Sequence, residues 1–257
     1  MFKNIYLDHS YNCDQNFKFF KKLGKLGFVL EKTMMEHPGK AYCKFIMLSG
    51  SKKSQGYYLE FISFGKGAPA IEREAGLSFG YHENLEKLFN KIKSKLSAKF
   101  VHKNYDWKNN SVDRLPGWNM LTFKKRPIQN TFTWFTEYEP VKRKKKIEKI
   151  LKHKNTVEGL HGIVLSLTPK SKKNLEIILG KKIKDKVELN DGTFIYLEKG
   201  KSDRYKSIIL NAQSLKKVKK VVGRSGKSEM FFDHEVVRID PPLYEKSLSW
   251  NLLIRES

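Results

Sequence analysis

Two periodicities take turns over the first 64 residues. Ile5 to Asn12 sets apolar side chains against polar or small ones at every second position, the mark of a half-buried strand. Phe17, Phe20 and Leu23 then recur at helical spacing behind Asp14, which can cap the helix, while Gly24 and Gly27 bracket its end. Three β-like runs follow, Phe28 to Met35, Ala41 to Leu48 and Tyr57 to Phe64. They are parted by His37-Pro38-Gly39 and by the turn-rich Ser49 to Gly56. The pattern predicts a β-α-β-β-β unit.

The same order returns further along. Leu77 to Tyr81 reads as a short strand, and Glu83 to Ser97 as a helix with Leu85, Leu88, Phe89, Ile92 and Leu96 on one stripe. Ala98 to Tyr105, Trp118 to Lys124 and Thr131 to Glu139 supply three more strands, with a turn at Arg114-Leu115-Pro116-Gly117. Lys142 to Lys154 reads as a basic helical connector. Gly159 to Leu167, a helix from about Lys170 to Leu179, and strands at Lys186 to Leu189, Thr193 to Glu198 and Ser207 to Ala212 form a third, degenerate copy. Lys219 to Gly223, Phe231 to Arg238 and Ser249 to Ile254 look like added strands, the last pair interrupted by Pro241-Pro242. The expected fold class is therefore α+β, built of repeated β-α-β-β-β modules. Paired modules at 1–66 and 74–140 make one unit, 141–157 connects, and 158–257 holds the third module with its extra C-terminal strands.

Composition narrows the setting. With 39% hydrophobic residues, the 257-residue chain can bury a sizeable core, which argues against disorder as its general state. The N-terminal stretch is not a basic segment leading into a long apolar run, and no segment reaches the roughly 18 apolar residues of a membrane span. The expectation is a cytoplasmic protein with no membrane contact. Cys13 and Cys43 are too few for a disulfide framework or a four-thiolate metal site and read as reduced core residues. Lys and Arg number 51 against 27 Asp and Glu, and the resulting charge of +24 attracts anionic partners, nucleic acid included. Most of the excess is lysine scattered as in Lys142 to Lys146, Lys170 to Lys173 and Lys216 to Lys220. It is not arginine interleaved with aromatics, so it reads as a solvated surface. A homodimer is compatible with the sequence.

Strand alternation picks out candidate chemistry. Ile5, Leu7, His9 and Tyr11 share one side of the first strand, and Tyr58, Glu60, Ile62 and Phe64 one side of the first module's last strand. Thr133, Phe135, Glu137 and Glu139 share a side in the second module. When Tyr57-Tyr58-Leu59-Glu60-Phe61 is laid over Trp134-Phe135-Thr136-Glu137-Tyr138, the two acids coincide. An ionisable residue among apolar neighbours is costly unless compensated, and a divalent cation compensates imidazole and carboxylate together.

These residues carry a family resemblance. Tyr6-Leu7-Asp8-His9, Gly27-Phe28, His37-Pro38-Gly39 and Tyr58-Leu59-Glu60-Phe61-Ile62 resemble the first module of the glyoxalase-like branch of the vicinal oxygen chelate superfamily. Gly76-Leu77-Ser78-Phe79 leading into Glu83-Asn84-Leu85, Arg114 to Trp118 and Phe132 to Glu137 are similar to that branch's second module. Gly159 to Leu179 is similar to the segment that follows in longer members. About 180 residues are covered, and those after Asn211 are not.

The resemblance implies paired modules curved into an open, barrel-like cleft. It also implies a divalent metal (Zn, Mn, Fe, Ni or Co) without an organic cofactor, and a small oxygenated substrate acted on by lyase, isomerase or dioxygenase-type chemistry. Carried over by position, His9, Glu60 and Glu137 are the metal ligands, with Glu137 also catalytic. The alternative is a non-catalytic protein that sequesters a small molecule, as bleomycin-resistance relatives do. The second module departs from the pattern, because its first strand has no ligand in register with His9 and His82 falls late. His161, in Leu160-His161-Gly162-Ile163-Val164, offers a rival pairing of modules one and three. Arg114, Trp107, Trp118 and Trp134 are expected as substrate-binding walls, and His37 as a general acid or base. Gly226-Lys227-Ser228 ends like a phosphate loop, but valine stands where its leading glycine belongs and no strong helix follows, so it reads as a turn.

Overall fold

Amphipathic strands need a partner for each apolar face, and among the described residues that need is met by two sheets and four helices around one core. The structure is a computed structural model that describes residues 5–32, 34–37, 41–49, 57–65, 75–81, 83–103, 118–138, 151–242 and 250–257. The first module is β1 (Ile5–Cys13), α1 (Lys18–Lys25), β2 (Met35–His37), β3 (Ala41–Leu48) and β4 (Tyr57–Phe64). The second is β5 (Ala75–Tyr81), α2 (Leu85–Leu96), β6 (Ala98–Lys103), β7 (Trp118–Phe123) and β8 (Thr131–Tyr138). Their strands form one sheet in the order β2-β3-β4-β1-β5-β8-β7-β6. Its centre is the antiparallel pair β1 and β5, flanked by β4 parallel to β1 and β8 parallel to β5.

The remainder repeats that plan. It comprises β9 (Val157–Leu167), α3 (Pro169–Leu179), β10 (Lys186–Glu188) and β11 (Phe194–Lys199), then β12 (Arg204–Ala212), α4 (Leu215–Val222), β13 (Lys227–Phe231), β14 (His234–Ile239) and β15 (Asn251–Glu256). These strands order as β10-β11-β9-β12-β15-β14-β13, again with an antiparallel centre, β9 and β12, and parallel flanks. β12 therefore opens a fourth module; it does not close the third. What hid this module is Lys219 to Gly223, which reads as a strand but folds mostly into α4. Leu215, Val218 and Val222 bury at helical spacing between solvated lysines, and the Ser214 hydroxyl caps the helix by accepting from the Lys217 N–H.

Two other segments differ from expectation. Phe28 to Leu30 are not strand: Phe28 turns into the core, and the Val29 N–H is taken by His153 Nδ1 at 2.9 Å, so β2 begins only at Met35. Phe231 to Arg238 is not one strand but parts of two, divided at Phe232, whose φ of 50° makes a hairpin turn. The expected connector helix lies largely outside the described residues. His153 and Asn155 at its end are buried, and Asn155 Nδ2 donates to the Leu26 carbonyl at 2.9 Å.

One face of each sheet meets the helices. Phe19, Phe20 and Leu23 of α1, Leu85, Leu88 and Ile92 of α2, and their counterparts on α3 and α4 join both sheets in a single apolar core. Trp250, from the approach to β15, lies fully buried against Phe19 and Phe61 and donates its indole N–H to the Tyr11 carbonyl. Among the described residues no helix is long and apolar enough to cross a membrane.

Candidate functional site

The site arises from a break in alternation. Ile5 and Leu7 of β1 enter the helix-side core, and strict alternation would send His9 after them. The β1–β5 register slips by one residue between Leu7 and His9, leaving Asp8 as the extra residue of a bulge. Asp8 and His9 consequently both reach the face away from the helices. Tyr11 joins them, while Ser10 returns to the interior to bond the hydroxyls of Tyr57 and Tyr205.

On that face His9 sits between two aromatic rings. Tyr58 stacks on it at 4.3 Å with the planes 11° apart, and Trp134 presents an edge at 5.0 Å. His9 Nδ1 is 2.6 Å from Asp8 Oδ2, and Nε2 is 3.6 Å from Glu60 Oε2. His9 is only 5% exposed and Glu60 only 7%, so neither is solvated to any extent. The Tyr138 hydroxyl donates to Asp8 Oδ2 at 3.1 Å, which leaves Tyr58 as donor to Tyr138 across 2.8 Å. Burial above all holds both phenols well above their ordinary range, so they act as hydrogen-bond donors. The Cys43 thiol bonds Glu60 from β3, and it too is pushed up, first by burial and then by the Glu60 charge.

The second module supplies hydroxyls at the equivalent places. Tyr58 pairs with His9 in β4, and Trp134 pairs with Ser78 in β8. By this register Ser78 answers to His9, and Thr136 to Glu60. Ser78 Oγ and Thr136 Oγ1 lie 2.8 Å apart, Trp134 Nε1 donates to Thr136, and Ser78 reaches Asp8 Oδ2 at 3.4 Å.

Sequence reasoning thus brought His9 and Glu60 together but missed Asp8, Tyr58, Tyr138, Ser78 and Thr136. Glu137 is turned to the opposite face. Its carboxylate accepts from the Leu85 N–H at the start of α2 and from Asn119 Nδ2, a helix-capping arrangement away from His9. Laying acid over acid shifted the repeat by one residue; matching Tyr58 to Trp134 would have found Thr136. His161 lies on the second sheet, not beside His9. Trp134 stands at the site. Trp107, Arg114 and His82 lie outside the described residues, as do the side chains of His37 and Trp118, whose backbones belong to β2 and β7.

The residues bear on a divalent cation in one definite way. A separation of 3.6 Å is too long for a good hydrogen bond, yet it suits two donors each about 2.1 Å from one ion. The Asp8 contact at Nδ1 fixes the tautomer that leaves the Nε2 lone pair free, the usual support of a ligating histidine. Among the described residues no three His, Cys, Asp or Glu side chains converge as a ligand group. The fit is to an ion held by one imidazole and one carboxylate, the equivalent places of the second module carrying the Ser78 and Thr136 hydroxyls in place of further ligands of that kind.

No protein-family model matches the chain, and no curated protein matches it in sequence. Solved structures do. A hypothetical protein from Staphylococcus aureus superposes with a TM-score of 0.64 at 14% identity, covering 98% of this chain and 99% of its own. Homoprotocatechuate 2,3-dioxygenase from Brevibacterium fuscum, in complex with 3,4-dihydroxyphenylacetate, gives 0.59 at 10%, covering 99% of this chain and 80% of its own. The Mn(II)-bound glyoxalase from Novosphingobium aromaticivorans gives 0.56 at 10%, covering 99% and 82%. At such identities the likeness is one of fold: four β-α-β-β-β-type modules in two paired sheets, the vicinal oxygen chelate fold.

Proposed function

We propose that the chain is a divalent-metal-dependent enzyme that acts on a small oxygenated substrate in the cleft of its first sheet, with His9 Nε2 and Glu60 Oε2 as the protein ligands. The observation that carries this is the Asp8–His9–Glu60 line. A buried imidazole is tethered at one nitrogen and left at the other facing a carboxylate at 3.6 Å. Support also comes from the Mn(II)-bound state of a glyoxalase with the same fold.

His9 and Glu60 would hold the cation, which when bound would supply Lewis acidity toward a substrate oxygen. The chain's own residues do the rest. Tyr58 and Trp134 hold the imidazole plane and keep water from it. The Tyr58 and Tyr138 hydroxyls form an ordered donor chain that ends on the Asp8 carboxylate, which accepts from Tyr138 and holds the His9 Nδ1 proton in place. The Ser78 and Thr136 hydroxyls, which bond each other on the same face, are the groups we assign to bonding a substrate oxygen.

Mn(II) titration of chelator-stripped protein, followed by calorimetry and by elemental analysis of the isolated complex, tests the reading. We expect one ion per chain in the unaltered protein and loss of binding in both His9→Ala and Glu60→Gln. No binding by the unaltered protein, or binding in either variant as tight as in the unaltered protein, overturns it.

A further inference from the structure

Because the second sheet repeats the plan of the first, it too has a face turned away from the helices, and that face carries different chemistry. Its floor is a separate apolar cluster of Val164, Tyr196, Ile209, Val236 and Leu253. Phe194 and Phe231 pack at its side, and Phe232 projects from the β13–β14 turn, 54% exposed. The rings are in mutual contact: Phe194 and Tyr196 at 5.9 Å, Tyr196 and Phe232 at 5.2 Å, Phe231 and Phe232 at 4.8 Å.

The polar end of this face is basic. His161, on β9, stacks on Phe194 at 5.2 Å, and its Nε2 lies 2.8 Å from the Tyr196 hydroxyl and 3.3 Å from Arg255 Nη1. Both neighbours donate, so Nε2 is the acceptor and the ring is neutral. In keeping with this, burial first and Arg255 second depress His161 to about 4. The charges felt at His161 come from Arg255, His234 and Lys186, all basic. Among the described residues Arg255 makes no ion pair; its Nε donates to the Glu256 carbonyl. The last strand of the first module offers Glu60 beside its histidine, whereas the last strand of the fourth offers Arg255.

We propose that this second face binds a small carboxylic acid with an apolar body, independently of metal. The carboxylate pairs with the Arg255 guanidinium, and the body lies against Phe194, Tyr196 and Phe232. The half-buried guanidinium has a fork that matches a carboxylate, and the oriented aromatic walls give an apolar group a place to lose water. His161 and the Tyr196 hydroxyl act as positioning groups, since each holds the next and His161 holds Arg255.

Calorimetric titration of the full chain with benzoate, and with benzamide as its uncharged counterpart, tests this in the presence of chelator. Benzoate is expected to bind at least ten-fold more tightly than benzamide, a comparison that needs no variant. Arg255→Gln is expected to weaken benzoate about ten-fold, while His9→Ala leaves it unchanged. Equal binding of acid and amide overturns the proposal. So does binding that survives Arg255→Gln but disappears in His9→Ala, which places the acid in the first cleft. Self-association that is abolished by Phe232→Asp and excludes benzoate also overturns it, because the face is then covered by a second copy. Metal binding at His9 and Glu60 stands or fails separately from each of these results.

Discussion

Asp8→Asn isolates the part of the proposed metal centre that touches no metal. In the folded protein Asp8 Oδ2 is shared by His9 Nδ1 at 2.6 Å, the Tyr138 hydroxyl at 3.1 Å and Ser78 Oγ at 3.4 Å. The amide has nearly the same shape, but with its nitrogen at the shared Oδ2 place it donates to Nδ1 and leaves the Tyr138 hydroxyl without its acceptor. What it loses is the acceptor-only character that dictates where the imidazole keeps its proton. If the amide nitrogen faces Nδ1, the ring must accept there and carry its proton on Nε2, where the ion is to bind. Loss of such outer support costs about 10- to 100-fold in metal affinity, or ~1.4–2.7 kcal/mol. Calorimetric Mn(II) titration gives the affinity, and urea denaturation of the metal-free protein checks that folding is intact. An unchanged affinity in a folded variant refutes the orienting role of Asp8. Complete loss of binding, matching His9→Ala, shows that Asp8 is itself a ligand, which also refutes it.

Three further outcomes follow from the geometry. Gly76→Ala places a methyl 1.9 Å from the Tyr11 ring, so the ring must leave its position beside Trp134; a loss of ~1–3 kcal/mol in urea denaturation is expected. Tyr205→Phe deletes the hydroxyl that bonds Ser10 at 2.5 Å and should cost about 1 kcal/mol by the same assay without altering Mn(II) affinity. His153 is lowered from its ordinary 6.5 by burial, opposed by its bond to the Met47 carbonyl, and its Nδ1 must accept from the Val29 N–H. Its stabilising contribution is therefore complete above the ordinary histidine value. It is lost as pH falls below that value, because the unfolded chain takes up the proton first. Denaturation at about pH 7 and about pH 5 should show a smaller loss for His153→Gln than for the unaltered protein.

The period of the apolar residues was enough to place β3 and β4 at their observed limits and to locate α2 and α3 within a residue or two, because each buries one face against the core. It failed at α4, where lysine stems between three buried aliphatics obscure the stripe. It failed again at Phe28 to Leu30, where the Phe28 N–H goes to the Leu23 carbonyl and the Val29 N–H to His153 instead of to a regular ladder. The site was half legible. Glu60 shares the His9 face of the sheet because β4 alternates cleanly. Asp8 could not be found that way, since a bulge has no signature in a strict two-residue period. Tyr58, Tyr138 and Thr136 became site residues only once strand pairing placed them beside His9 and Ser78. Glu137 shows the converse: an acid in a similar local setting, one residue out of register, serves a helix end.

Trp250 has a consequence for anyone hoping to borrow the His9 cleft as a stand-alone part. The ring comes from the last stretch of the chain, yet it fills space between Phe19 and Phe61 beneath the first sheet, and its N–H occupies the Tyr11 carbonyl. Excising the first two modules would leave a tryptophan-sized hole directly behind the strand that carries His9. It would also strand the Ser10 and Tyr57 hydroxyls that now meet Tyr205. A transplant of this cleft must therefore bring a substitute plug for that hole, or carry both sheets.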